Sequence, residues 1–242
     1  MIENLIENAS SYGGKVDWLF TLITILVGFW FVVAEVVLFY FIFKFRARDG
    51  VKAAYIAGET KQEKRFISIP HTLILICDVA LIAGAINVWV EIKQTLPDPD
   101  AKIRVFAQQW AWTFQQPGPD GKLDTEDDIT TVDELHLKKD TVYHFELQSR
   151  DALHSFSIPA FRLKQDAVPG RAITGWFEPV KTGTFDLQCA EMCGIGHGLM
   201  VAQIRVETEE EHNAWMAAEK AKAAALPPAI PGGPALPGPA PN

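Results

Sequence analysis

WLFTLITILVGFWFVVAEVVLFYFIF, Trp18 to Phe43, is a run of 26 residues in which Glu35 is the only charged side chain. As a helix it is long enough to cross about 30 Å of hydrocarbon with some tilt. A second run, Ile69 to Val90, has 22 residues with only His71, Asp78 and Asn87 as strongly polar interruptions. Two such lengths within the first hundred residues predict a hairpin in lipid rather than a pair of soluble-core helices. The first run far exceeds the roughly 7–15 apolar residues of a signal peptide, and no small-residue cleavage pattern follows it, so it reads as a retained anchor. The 48% hydrophobic content of the 242 residues is therefore unevenly placed, leaving room for one ordinary domain outside the lipid.

Between the two runs, Lys44, Arg46, Arg48, Lys52, Lys61, Lys64 and Arg65 stand against Asp49, Glu59 and Glu63. Basic loops stay on the cytoplasmic side, which puts everything after residue 90 on the opposite face of the membrane. That part, Glu91 to Asn242, holds 14 Lys and Arg against 22 Asp and Glu, a net of −8. Such a surface excludes nucleic acid and suits a basic protein partner. Glu35 and Asp78, set in apolar runs, are interface or functional candidates because an ionisable group facing lipid is costly.

After the hairpin, Leu96-Pro-Asp-Pro-Asp100 marks a hinge. Short runs rich in β-branched and aromatic residues follow at Lys102–Ala107, Trp110–Phe114, Thr141–Leu147, Ser155–Ile158, Ala172–Phe177, Thr184–Gln188 and Val201–Val206, separated by turn formers. Six to eight strands without intervening helices predict a β-sandwich or barrel. Thr208-Glu-Glu-Glu211 is a capping box opening a helix to about Ala225. Leu226 to Asn242, with seven Pro and three Gly in 17 residues, reads as a flexible tail. The expected organisation is thus an anchor over 1–95, a β-domain over 96–207, a helix over 208–225 and a tail over 226–242.

The chemistry concentrates in Cys189-Ala-Glu-Met-Cys193-Gly-Ile-Gly-His197-Gly-Leu-Met200. Two thiols, an imidazole and a thioether within twelve residues form a soft donor set suited to copper. Glycines at 194, 196 and 198 let the backbone turn tightly enough for those side chains to converge. A disulfide between Cys189 and Cys193 would leave His197 and Met200 unexplained. Zinc would use a thioether only rarely, and a mononuclear blue-copper site would leave one cysteine surplus. A second imidazole must come from elsewhere; His154 is the best placed, with His136, His144 and His212 as competitors. The acidic stretch Asp120–Asp128 is dense in oxygen ligands but lacks the closing Glu of a calcium loop, and reads as solvated.

Four pieces of sequence carry a resemblance: Gln109-Trp110-Ala-Trp112, Asp151-Ala-Leu-His154-Ser-Phe, Leu163-Lys-Gln-Asp-Ala-Val-Pro-Gly-Arg171 and the Cys189–Met200 segment. With the hairpin before them, they make the chain resemble subunit II of the haem-copper cytochrome c oxidases over nearly its whole ordered length. The resemblance implies a cupredoxin-like sandwich carrying a dinuclear mixed-valence copper centre, CuA, whose two thiolates bridge both metals. His154 and Met200 would complete one copper; His197 and the backbone carbonyl of Glu191 would complete the other.

The same resemblance implies further roles. Trp110 would be the surface residue through which cytochrome c, or another c-type donor, hands over its electron. The alternating segment puts Trp110 and Trp112 on one face, and Ala111 stands where the family usually has Tyr. Asp120, Asp124, Glu126, Asp127, Asp128, Asp133 and Glu134 are candidates for docking that basic donor. The Glu191 carboxylate would help hold magnesium at the boundary with subunit I. Glu63, seven residues before Pro70, would lie near the start of a proton path into subunit I, although Phe66-Ile67 replaces the family's Trp-Thr. Oxygen reduction coupled to proton translocation would belong to the partner subunit. No Cys-x-x-Cys-His occurs, so no c-type haem is fused to this chain. The setting implied is a bacterial inner membrane with the copper domain on the periplasmic side, rather than a mitochondrial one. The alternatives are the copper subunit of a nitric-oxide reductase and a membrane-tethered copper carrier or assembly factor.

Overall fold

The structure is a computed structural model that describes residues 5–53 and 55–225. The tail expected over 226–242 lies outside the described residues. The chain divides into two compact units, one spanning Lys15–Glu91 and the other combining the segment before Lys15 with Ile92 onward.

The first unit holds two helices, α1 (Gly13–Lys44) and α2 (Lys61–Trp89), both long and apolar enough to cross a membrane. Large apolar side chains, including Phe29, Phe31, Ile74 and Ile76, cover their outer surfaces. Such exposure is affordable only in lipid or against another protein. The helices meet where Trp30 Nε1 donates to Cys77 Sγ (3.3 Å) and where Gly84 faces Trp18, Leu19 and Leu22. Helix α2 begins eight residues before the apolar run because Thr60 and Glu63 form a reciprocal cap. Glu63 N donates to Thr60 Oγ1 (3.2 Å), and Thr60 N donates to the Glu63 carboxylate (3.0 Å).

The second unit is a sandwich of two five-stranded sheets. The strands are β1 (Ala101–Gln108), β2 (Ala111–Gln116), β3 (Ile129–Val132), β4 (Glu134–Lys138), β5 (Tyr143–Ser149), β6 (His154–Ile158), β7 (Leu163–Ala167), β8 (Ile173–Phe177), β9 (Gly183–Cys189) and β10 (Val201–Glu207). One sheet runs β3-β2-β1-β5-β8 and the other β4-β10-β9-β6-β7; β1/β5 and β4/β10 are the parallel pairs. Alternation along β1 and β5 buries Ile103, Val105, Phe145 and Leu147, and the facing sheet buries Leu135, Phe156, Ile158, Leu187 and Ile204. Phe145 and Trp112 both lean on Phe156, with ring centroids 5.4 and 5.6 Å apart.

Among the described residues, ten strands replace the expected six to eight. The additional ones are β3, β4 and β7, whose sequences ITTV, ELHLK and LKQDA carry a weak or polar pattern. Asp133, at φ 56°, breaks the chain between β3 and β4 so that they enter different sheets. Before α1, residues 5–12 lie along the sandwich: Ala9 N donates to Ala160 O (2.8 Å), Val180 N donates to Ala9 O (2.9 Å), and Tyr12 packs edge-on against Trp176. After β10, helix α3 (Glu209–Ala225) opens at the predicted box, with Thr208 N donating to the Glu211 carboxylate at 2.9 Å.

Candidate metal centre

Strands β10, β9 and β6 are neighbours, and one end of all three carries the donor set. His154 opens β6, Cys189 closes β9, and Met200 directly precedes β10. Pairing fixes their heights: Phe156 lies opposite Cys189, and Cys189 N donates to Met200 O (3.1 Å). The connection between β9 and β10 is a tight loop ending in a 3-10 turn at His197–Leu199, which returns His197 and Met200 toward the cysteines.

The six predicted donors converge. Cys189 Sγ lies 3.7 Å from Cys193 Sγ, 3.9 Å from His154 Nδ1 and 3.2 Å from the Glu191 carbonyl oxygen. Cys193 Sγ lies 3.7 Å from His197 Nδ1 and 3.8 Å from Met200 Sδ. His154, Cys189, Cys193 and Met200 are buried, while His197 is partly exposed. Among the described residues, His154, Cys189 and Cys193 form the one group of three whose ligand atoms lie mutually within 4.8 Å. Two unbonded sulfurs, each facing its own imidazole, fit a soft metal rather than a plain packed core. Burial pushes the Cys193 thiol up to about 11, with Cys189 beside it adding to the effect.

The competing histidines are occupied elsewhere. His144 Nε2 stands 2.7 Å from Pro97 O. His136 and His212 share the Glu207 carboxylate at 2.7 and 3.2 Å, and His136 stacks on Trp215.

Two residues that the sequence reading left without a role bond to the candidate donor segments. Asp151 Oδ1 lies 2.8 Å from His154 Nε2, which leaves Nδ1 to face the sulfurs. Desolvation works to raise the Asp151 carboxyl, but hydrogen bonds from His154, Gln109 N and Ala152 N outweigh it and hold its pKa below the ordinary value. Gln109 donates from its backbone N to Asp151 Oδ2 and from its side chain to Cys193 O, both at 2.7 Å. The sequence signal for Asp151 was a carboxylate three residues before a candidate imidazole ligand. Gln109 had none, because its partners are 42 and 84 residues away.

Trp110 and Trp112 do not share a face. Trp112 is wholly buried, whereas Trp110 precedes the first residue of β2, escapes its two-residue period and is 39% exposed. The Trp110 ring rests on Gly194 and Gly196; a Cβ on Gly196 would come within 2.4 Å of Trp110 Cδ2. On the same loop as these glycines, Met192, Ile195 and Leu199 are exposed. Beside Leu199 and Val201, a groove of about 430 Å³ is lined by Asp133, Asp186, Gln188 and Gln203.

Much of the acidic stretch is already engaged, by the flanking strands or within the loop. Asp124 pairs with Arg104 (2.9 Å), Asp128 accepts from Gln115 and Asp124 N, Asp127 accepts from Thr125, and Glu134 pairs with Arg205. Asp133 Oδ1 accepts from Trp112 N (2.8 Å). The Glu191 carboxylate pairs with Lys164 Nζ (3.2 Å), which also reaches Asp166 (3.0 Å) and is raised in pKa by both hydrogen bonds.

Residues 101–207 match the family model described as cytochrome C oxidase subunit II, periplasmic domain. The chain is 34% identical over 224 residues to the alternative cytochrome c oxidase subunit 2 of Bradyrhizobium diazoefficiens, covering 81% of this chain and 79% of that one. The chain belongs to the cytochrome c oxidase subunit II family. Subunit 2 of the Cereibacter sphaeroides oxidase is 26% identical over 239 residues, covering 86% and 77% of the two chains. The periplasmic domain of subunit II from Bradyrhizobium japonicum superposes with a TM-score of 0.47, at 32% identity, over 53% of this chain and 99% of that one. As a subunit II, the chain is part of a haem-copper oxidase, an oxidoreductase complex in which it associates with other oxidase subunits.

Proposed function

We propose that this subunit receives electrons from a c-type cytochrome at a dinuclear CuA centre and passes them to the haem-copper subunit that reduces oxygen. The observation that carries the reading is the meeting of two buried thiols with His154, His197, Met200 and the Glu191 carbonyl at one end of three neighbouring strands. His154 Nδ1, Cys189 Sγ, Glu191 O, Cys193 Sγ, His197 Nδ1 and Met200 Sδ would hold the metals. The copper pair supplies, when bound, storage of one electron with little change in its bonds.

The chain's own residues do the rest. Asp151 fixes the His154 ring, the sandwich core excludes water from the sulfurs, and the exposed edge of Trp110 offers the donor a contact. One electron leaves the reduced donor at that edge, and no bond or proton has to move. Met192, Ile195 and Leu199 supply apolar contact there, and Asp133 and Asp186 supply negative charge suited to a basic donor. The copper domain lies on the periplasmic side of a bacterial inner membrane, in keeping with the basic loop between the spans. Glu191, beyond its carbonyl, contributes its carboxylate to a magnesium site with subunit I, for which it must exchange Lys164. Glu63 serves a proton path into that subunit as well as capping α2.

Metal analysis of the purified complex tests the reading. Two copper ions per chain at this centre, lost in Cys193→Ser, support it; a single zinc or copper ion in wild-type protein overturns it.

A further inference from the structure

From its two hydrogen bonds we infer that Gln109 is a positioning residue that clasps Trp110 to the metal-binding loop and so sets the rate at which an electron crosses from the donor. The inference rests on the reading of Trp110 given above.

Gln109 is the residue directly before Trp110, and it is tied at both ends. Its backbone N donates to Asp151 Oδ2 at 2.7 Å, and the other oxygen of that carboxylate holds His154 Nε2 at 2.8 Å. Its side-chain Nε2 donates to the carbonyl of Cys193, also at 2.7 Å. One residue thereby reaches one ligand through its backbone and a second through its side chain. The two ligands belong to segments 39 positions apart in the chain.

The loop is shaped to accept this clasp. Gly194, at φ 127°, has a backbone that L side chains rarely adopt, and a Cβ there would lie 3.0 Å from Gln109 Nε2 and 3.2 Å from Trp110 Cζ2. Gly196 lies closer still beneath the indole. The stretch between ligands Cys193 and His197 is thus pressed against the Gln109–Trp110 pair, with no room for side chains between them. Electronic coupling falls steeply across gaps and is better conserved through bonds and hydrogen bonds. The Gln109 amide supplies a hydrogen-bonded connection from the Trp110 backbone to Cys193, and it also keeps the indole seated on Gly196. The ligands themselves have separate supports: β-strand pairing holds Cys189 and Met200, and Asp151 holds His154.

The test uses the complete, copper-loaded oxidase mixed rapidly with a reduced soluble c-type cytochrome. The limiting rate at saturating donor, the donor dissociation constant, the copper content, the EPR spectrum and the onward rate into the catalytic subunit are measured for each variant. Gln109→Met fills the same space without a donor; Gln109→Ala removes both. The clasp predicts that both lose the limiting rate several-fold, with dissociation constant, copper content, EPR spectrum and onward rate as in wild type. Wild-type speed in Gln109→Met overturns it, since packing rather than the hydrogen bond would then matter. Loss of copper or an altered EPR spectrum in Gln109→Met overturns it equally, because the residue would be a support of the ligands. Trp110→Leu separates the two claims. If it keeps the limiting rate, the role of Trp110 fails; if it loses the rate while Gln109→Met does not, only the clasp fails.

Discussion

His154 Nε2 stands 2.8 Å from Asp151 Oδ1, which aims the opposite ring nitrogen at Cys189 Sγ, 3.9 Å away. A ligating imidazole whose second nitrogen is held by a carboxylate keeps one tautomer and one orientation. Asp151→Ala removes that hold and also frees Gln109 N. Copper affinity is expected to fall about 10–100-fold, the usual cost of losing such a partner, while the fold persists. Competition against a chelator of known affinity measures it, and an unchanged affinity would show that the pairing is incidental.

Cys193 makes metal loading depend on pH. Its thiol is pushed up to about 11, so in the metal-free protein it holds its proton throughout the neutral range. Metal binds the thiolate, and that proton must leave. Rising pH lowers the cost of removing it, so apparent affinity is expected to climb by at least about tenfold per pH unit from 7 to 9, flattening only near the thiol pKa. Proton release measured during copper titration in weakly buffered solution checks this; fewer than about one proton per centre contradicts it.

The two long apolar helices, the sandwich and the gathering of the six candidate donors at one end of it were legible in the sequence, each for a physical reason. Lipid demands long apolar runs, half-buried strands demand alternation, and a soft metal demands sulfur and imidazole at close spacing. What escaped depended on long-range partners. The β3, β4 and β7 strands take their place from pairing rather than composition, Asp133 sets the break between two of them, and Trp110 leaves the face of Trp112 because the strand starts one residue later. The acidic loop looked free in sequence because the pairing of Asp124 with Arg104 spans 20 positions.

Gly196→Ala tests the seating of the indole. The new Cβ would fall 2.4 Å from Trp110 Cδ2, far inside van der Waals contact, so the ring or the loop must shift, at about 1–3 kcal/mol. The expected outcome is slower reduction by the donor with copper still bound. Unaltered kinetics would show that the contact carries no electron.

Asp186 lines the groove beside Leu199 and was not among the acidic candidates of the sequence. Asp186→Asn is expected to weaken association with a basic donor at low salt and to reduce the slope of its rate against ionic strength, with little effect above about 0.5 M, where charges are screened. Steady-state turnover across a salt series reads this directly, and an identical profile in the variant would remove Asp186 from the docking face.

A two-copper, thiolate-linked centre that shares one electron has a magnetic signature of its own. EPR of the purified, copper-replete, oxidised protein is the most direct measurement. The expected result is a mixed-valence signal with seven hyperfine lines, from one unpaired electron shared equally by two copper nuclei, and its loss in Cys189→Ser. A four-line signal of a single cupric ion in the wild-type protein, or no copper signal at all, would contradict it.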